Sequence, residues 1–458
     1  MARLVSGHSG WTRRRVVGMV WAGLGGALAA ACGAPGSTPE VTGGGAAEQP
    51  AKLLVKIRSG APYDQLFKEG ITVFRQKFPK TEIEYFPEES GWQEKLMAGW
   101  AGGAGADVFQ AWDDNFWRFV ANGAVVNIND LLKDYKKADL DDFVKGQWAG
   151  FQIPTTNFRF GLPTYVNMGV VYINKQSFAK AGVKEPDASW TYNDYAEITK
   201  RLTRMEAGRQ VYGGYHPLGK GRTENTLWAF GGEFIDPKDF TKSLVHTAET
   251  QQALDWLYDR YWKDQSWINL NQRPSGFAMQ TSLADGLLAT AEDGMHALTR
   301  VAPIEGVQFD VVPVPKGPKT RMSWITTDGW GMWSGTKFKA QAWEFTKFLA
   351  SPEWYKMQTR ADLLIPSRVS LLDDWMQQVR LKYPSLANVN LKGVKDQLMA
   401  SPPTVRTWPQ FLCAADANTV IGNTLLEIYR DNLQKPSVFR DRKTQIDQAA
   451  TGCGMVIK

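Results

Sequence analysis

Leu53-Leu54-Val55-Lys56-Ile57-Arg58 opens the segment that decides the fold. Its β-branched residues and apolar start predict a strand. Phe67, Ile71, Phe74 and Phe78 follow at i, i+4, i+7 and i+11, one face of a helix that Pro79 stops. Glu82-Ile83-Glu84-Tyr85 alternates and predicts a second strand. Leu96, Met97 and Trp100 predict a second helix ended by Gly102-Gly103, and Asp107-Val108-Phe109-Gln110-Ala111 a third strand. Strands separated by helical patterns imply βαβ units, and therefore a mostly parallel sheet covered on both faces.

The alternation continues downstream. Val170-Val171-Tyr172-Ile173 predicts a strand, and Thr191 with Asp194 three residues on fits a capping box. Phe309-Asp310-Val311-Val312 predicts a strand closed by Pro313 and Pro315. Ala342, Phe345 and Leu349 form a helical stripe. Ser351-Pro352 pairs an N-cap with proline at the first helical position. The 458 residues allow three domains or two large ones.

Upstream of the first strand the pattern is that of a targeting segment. Arg13-Arg14-Arg15 precedes the 16-residue apolar run Val16 to Ala31, which is too short and too rich in Gly and Ala for a good membrane span. Thr12 to Val17 resembles a twin-arginine export signal. Ala29-Ala30-Ala31-Cys32 resembles a lipobox, with Leu28 one place before the usual leucine position. Residues 1–31 are therefore read as a lipoprotein export signal. Cys32 is read as the lipidated first residue, and 32–52, rich in Gly, Pro and Ser, as a flexible tether. The location implied is extracytoplasmic, anchored to the cell membrane. There Cys413 and Cys453 could pair, and their spacing leaves pairing and free thiols both open.

Composition narrows the function. The excess of 53 Lys and Arg over 47 Asp and Glu comes largely from four arginines within residues 1–31, so the remainder is nearly neutral and nothing favours nucleic acid. The chain carries 19 Trp against 14 Tyr, an excess that suits either a core or flat apolar faces for sugar rings. Enzyme motifs are missing: there is no H-E-x-x-H, C-x-x-C or G-x-S-x-G. The histidines His8, His216, His246 and His296 have no recognised metal-ligand spacing. Gly214 to Gly221 departs from a P-loop at Gly221, where magnesium needs a hydroxyl. The acid pairs Glu88-Glu89, Asp113-Asp114 and Asp141-Asp142 read mostly as solvated surface.

A set of landmarks occurs in order: Gly105-Ala106-Asp107-Val108-Phe109, Gly161-Leu162-Pro163, Val171-Tyr172-Ile173-Asn174-Lys175 and Ser189-Trp190-Thr191. Asp285 to Thr290 with Gly294, Pro313 to Pro318, and Ala342 to Glu353 continue it. Together they resemble family 1 of the extracellular solute-binding proteins of ABC importers, the family of the maltose-binding protein. The resemblance implies an α/β periplasmic-binding-protein fold of two lobes, each a mostly parallel sheet flanked by helices, with the ligand cleft between them. It implies crossovers near 163–166, 323–327 and 364–368. Residues 53–163 plus 326–363 would form one lobe and 166–323 plus 368–458 the other.

Candidate ligand residues follow by position. Trp112, Asp113, Asp114 and Asn115 come just past the third strand, where open α/β sheets place ligands. Asp114 matches a hydroxyl-binding carboxylate of maltose binders and equally suits a helix N-cap. Tyr63 and Trp92 lie in loops after the first and second strands. Trp228 precedes Gly231-Gly232, Trp330 stands between Gly329 and Gly331, and Trp408 falls where the family places a stacking aromatic. For each tryptophan, core packing and stacking are both open. His296 replaces the family's usual aromatic and Asn167 a hinge carboxylate, which argues against maltodextrin as the ligand.

The implied function is a substrate-binding lipoprotein that delivers a carbohydrate to an ABC permease. It would act as a monomer, without catalysis, cofactor, metal or nucleic-acid partner. The other readings are a secreted carbohydrate-active enzyme, a structural surface protein, and a binder of a glycerophosphodiester, polyol or peptide. Cys32→Ser should release the exported protein from membranes into the soluble fraction; fractionation showing it still membrane-bound would refute the lipobox.

Overall fold

The computed structural model describes residues 48–452 other than 155, 410 and 412, and the side chains of all of these but 61 and 114. The export signal, Cys32, most of the tether and Cys453 lie outside the described residues, as does the side chain of Asp114. The described residues 48–452 belong to one compact unit. Its strands are, in chain order, β1 (Ala51–Ile57), β2 (Thr81–Pro87), β3 (Val108–Ala111), β4 (Leu162–Pro163), β5 (Tyr165–Val166) and β6 (Gly169–Asn174). A small hairpin follows, β7 (Arg204–Glu206) and β8 (Arg209–Val211). Then come β9 (Thr290–Gly294), β10 (Phe309–Val312), β11 (Ser323–Trp324), β12 (Gly329–Met332), β13 (Ile365–Pro366) and β14 (Val405–Arg406). Because β1 already begins at Ala51, the tether ends two residues earlier than its composition suggests.

The helices form for the reasons legible in their ends. Helix Ala61–Lys77 starts with proline in its first turn and buries Leu66, Phe67 and Phe74 against β1. Helix Tyr192–Leu202 has the full reciprocal capping box of Thr191 and Asp194. Helix Pro352–Asp362 is capped by Ser351, whose hydroxyl accepts the Trp354 amide at 3.2 Å.

Two sheets organise the core. The first has the order β2-β1-β3-β12-β4 and the second β10-β6-β9. Every residue of β6 is buried, as a strand covered on both faces requires. Its alternate residues separate accordingly: Val170 and Tyr172 join one apolar cluster, Val171 and Ile173 another. In the first sheet β1 pairs parallel with β2 and β3, whereas β12 pairs antiparallel with β3 and β4, so β12 alone opposes the rest. In the second sheet β6 pairs antiparallel with both β9 and β10. A mostly parallel sheet is therefore found in the first case and not in the second. The opposed strand in each sheet, β6 or β12, is the one the chain enters directly from the other sheet. It starts at the seam and runs away from it, while most strands wound through helices end there.

Three chain segments run between the sheets. β5 pairs antiparallel with β13, Val166 opposite Ile365. β11 pairs parallel with β14. A single bridge links Met168 to Ile325. Cys413, at the start of helix Ala414–Tyr429, is disulfide-bonded.

Trp330 does not line the cleft described below. It sits in the middle of the first sheet, opposite Gln110 and Leu162, with its ring 5.6 Å from Phe67 in the core. The flanking glycines make room for protein: a Cβ on Gly329 would lie 2.4 Å from the Phe151 ring, and one on Gly331 2.5 Å from Phe109. Trp330→Ala should therefore lower stability by about 3–5 kcal/mol through cavity formation, read as a lower urea midpoint, while the folded variant keeps its ligand affinity.

Candidate functional site

The seam between the sheets opens into a cleft. A cavity of ≈ 320 Å³ there is lined by Arg58 after β1, Glu88 after β2, Trp112 and Asp113 after β3, and Asp328 before β12. From the other side come Arg222, His296 and Trp408, with Tyr165, Asn167 and Thr326 from the crossing segments. A second cavity, also ≈ 320 Å³, shares Trp112, Asp113, Arg222 and Trp408 with it. A third, ≈ 270 Å³, shares Arg58 and His296 and reaches Tyr63. Ligand sites of about 300–1,000 Å³ are usual for small molecules.

Each lining group is held from below. Lys56, wholly buried in β1, donates to Glu88 at 3.1 Å and to the Gln110 carbonyl at 3.0 Å. Its Nζ lies 3.5 Å from the centre of the Trp92 ring, and Trp92 in turn packs 5.3 Å from Trp112. Burial lowers this amine to about 8 against the pull of Glu88. Asp113 accepts from the Thr327 amide at 3.0 Å and hydroxyl at 3.1 Å. The Arg58 guanidinium donates to the Tyr165 hydroxyl at 2.9 Å. Asp328 accepts from the Thr326 hydroxyl, and burial raises its carboxyl to about 6.

On the other wall, the Trp408 indole N–H donates to the Gly221 carbonyl at 2.8 Å, and the ring stacks on Trp324 at 5.2 Å. Glycine is required at 221, because a Cβ there would fall 2.7 Å from the Trp408 ring. Arg222 lies 3.9 Å from the Trp324 ring centre and 3.5 Å from Asp293. His296 donates its amide to Asn167 Oδ1 at 3.1 Å, and burial lowers its imidazole to about 4, so it is neutral at physiological pH. Beneath Arg222, the Asn225 amide donates to Glu292 at 2.7 Å and accepts the Trp324 N–H at 2.8 Å.

Of the residues read from sequence, the cleft brings together Tyr63, Trp112, Asp113, Asn167, His296 and Trp408. It does not bring in four others. Trp92 is buried behind Trp112. Asn115 turns back to the Trp112 carbonyl at 3.3 Å. Trp228 is buried, bonded to Glu233 at 2.8 Å and covered by Arg406 at 4.0 Å. Trp330 is in the core. Sequence reading missed Arg58, Tyr165, Arg222, Thr326 and Asp328, and took Glu88 for surface. Arg58 and Asp328 had a usable signal, since both adjoin a strand end at the seam. Arg222 follows the Gly-rich loop that fails as a P-loop and instead starts helix Lys220–Phe230.

The arrangement offers guanidinium and amide donors, carboxylate acceptors and two half-buried indoles, a set that recognises hydroxyl groups and C–H faces. Among the described residues no cluster of His, Cys, Asp and Glu could hold a metal ion. The model of the bacterial extracellular solute-binding protein family matches residues 55–356.

This chain belongs to that family of bacterial extracellular solute-binding proteins. The family places it outside the cytoplasm, and among the described residues no helix is long and apolar enough to cross a membrane. A Brucella abortus (strain 2308) relative named as a binding protein is 26% identical over 298 residues, 63% of this chain and 67% of its own. The ABC substrate-binding protein Lmo0181 from Listeria monocytogenes, in complex with cycloalternan, shares the fold with a TM-score of 0.73. The match covers 88% of this chain and 100% of that one at 18% identity. UgpB from Mycobacterium tuberculosis, in complex with glycerophosphocholine, has a TM-score of 0.70 over 88% and 98% at 17% identity. The fold of this solute-binding protein is thus the two-lobe fold of ABC-transporter binding proteins.

Burial raises the Glu292 carboxyl from 4.5 to about 7. Between these values the folded chain keeps a proton that the unfolded chain releases, so this group's contribution is full below 4.5 and is lost as pH rises through 7. Glu292→Gln keeps the acceptor for Asn225 without the charge. Urea midpoints should show the variant gaining on wild type as pH rises from 4.5 to 7.5; an equal difference across that range would refute the assignment.

Proposed function

We propose that the protein captures a carbohydrate, a mono- or oligosaccharide, between its lobes and delivers it to the permease of an ABC importer. The reading is carried by one observation: Trp112, just past β3, and Trp408, just past β14, line the same cavities as Asp113 and Arg222. Ring faces want flat aromatics, and hydroxyls want fixed charged partners. The boundaries proposed for the lobes are 53–163 with 326–363, and 166–323 with 368–458. A ligand touching both stabilises the closed arrangement, which the importer would select. The carbohydrate complex of Lmo0181 supports this reading.

The protein is proposed to act without catalysis or cofactor, outside the cytoplasm, held by a lipid on Cys32. Cys453 is the proposed partner of Cys413. Calorimetric titration with a panel of saccharides tests the function: one-to-one binding with the saccharide recovered unchanged is expected, and turnover would move the protein to the carbohydrate-active enzymes. Trp112→Ala and Trp408→Ala should each weaken saccharide binding about tenfold or more, on the order of 1–2 kcal/mol, in a protein that stays folded. Undiminished binding in both would leave the aromatic cleft without a role.

A further inference from the structure

One end of the cleft carries a charge pattern that a neutral sugar does not use. The ≈ 270 Å³ cavity is lined by Arg58, Tyr63, Asp362, Arg300, Lys382 and Tyr383. Three cations thus face one carboxyl. Among the described residues none of the three is paired with a carboxylate. Lys382 donates to the main-chain carbonyls of Arg360 and Ala361, at 2.8 and 3.0 Å. Arg58 donates to the neutral Tyr165 hydroxyl at 2.9 Å and, through its amide, to Gln110. Arg300 is exposed and makes no hydrogen bond or ion pair among the described residues.

Elsewhere in and beneath the cleft wall the cations are matched: Lys56 has Glu88 and Arg222 has Asp293. Asp362 can offset at most one of the three positive charges that line the cavity with it. The cavity adjoins the central one through Arg58 and His296, so a single ligand can span both.

We propose that this basic end receives the anionic group of an acidic saccharide, a carboxylate or a phosphate monoester, while the end between Trp112 and Trp408 takes a neutral ring. The inference rests on the carbohydrate reading and narrows it. Guanidinium groups bind carboxylate and phosphate oxygens by paired charge-assisted hydrogen bonds, which gives Arg58 and Arg300 a partner the protein itself withholds.

Calorimetry on the whole protein with matched probes tests it: digalacturonate against its neutral digalactoside, and glucose 6-phosphate against glucose. The acidic member of at least one pair should bind at least tenfold tighter, and the pair that responds identifies carboxylate or phosphate. That advantage should shrink as salt is raised. Arg300→Gln, at an exposed position with no hydrogen bond or ion pair among the described residues, should remove most of it and leave the neutral member unchanged. Equal binding of acidic and neutral members in both pairs would overturn the inference while leaving the carbohydrate reading standing. So would an equal loss for both in Arg300→Gln. Binding of glycerophosphocholine with no saccharide bound would overturn both.

Discussion

Asp113 and Thr327 hold the seam together. The carboxylate accepts from the Thr327 amide and hydroxyl at 3.0 and 3.1 Å, and the Asp113 amide donates back to that hydroxyl at 3.2 Å. The bonds keep Asp113 at φ 43, a conformation that costs a non-glycine residue about 1–3 kcal/mol. They tie the end of β3 to the segment that leads into β12, 214 residues further along. Once that tie is made, the antiparallel pairing of Gly329 with Ala111 fixes β12 in the first sheet. Trp112 and Asp328 are then set on the same rim.

The same constraint explains why the cleft is polar rather than aromatic throughout. Strand ends and crossing segments leave amides and carbonyls that no ladder satisfies, and buried polar groups need partners. Helix Lys145–Gly150 answers with Gln147, whose side chain donates to the carbonyls of Tyr165 and Thr326 at 2.7 and 3.1 Å. Asn225 does the same for Trp324 and Glu292. The groups left facing the cleft are those with bonding capacity to spare, which is what a ligand rich in hydroxyls or charge requires.

Much of the tryptophan excess is structural. Trp324, Trp330, Trp343 and Trp354 are each at most 2% exposed. Trp324 still serves the site, because both Trp408 and Arg222 rest on it. The division between core and cleft therefore runs through one stack of side chains. Rings in the cleft are held by rings in the core, which keeps the binding surface preorganised.

The elements were legible in the sequence: the βαβ alternation from Leu53 to Ala111, the capping box at Thr191, the Ser351 cap and the order of the family landmarks. These are local, since periodicity and end chemistry act over a few residues. It also pointed to Trp112 and Asp113, because strand ends at a switch point are readable from strand positions, and to Trp408 through the family resemblance. Direction and facing, by contrast, come from long-range packing. The antiparallel pairings of β6 follow from where the chain crosses between sheets, which no local pattern encodes. Trp330 looked open because glycines flank it, yet those glycines admit Phe151 and Phe109 from across the sheet. Arg58, Arg222 and Asp328 are ordinary charges in the sequence and become a site only where loops up to 270 residues apart meet, because a charge acquires its role from the partners that surround it.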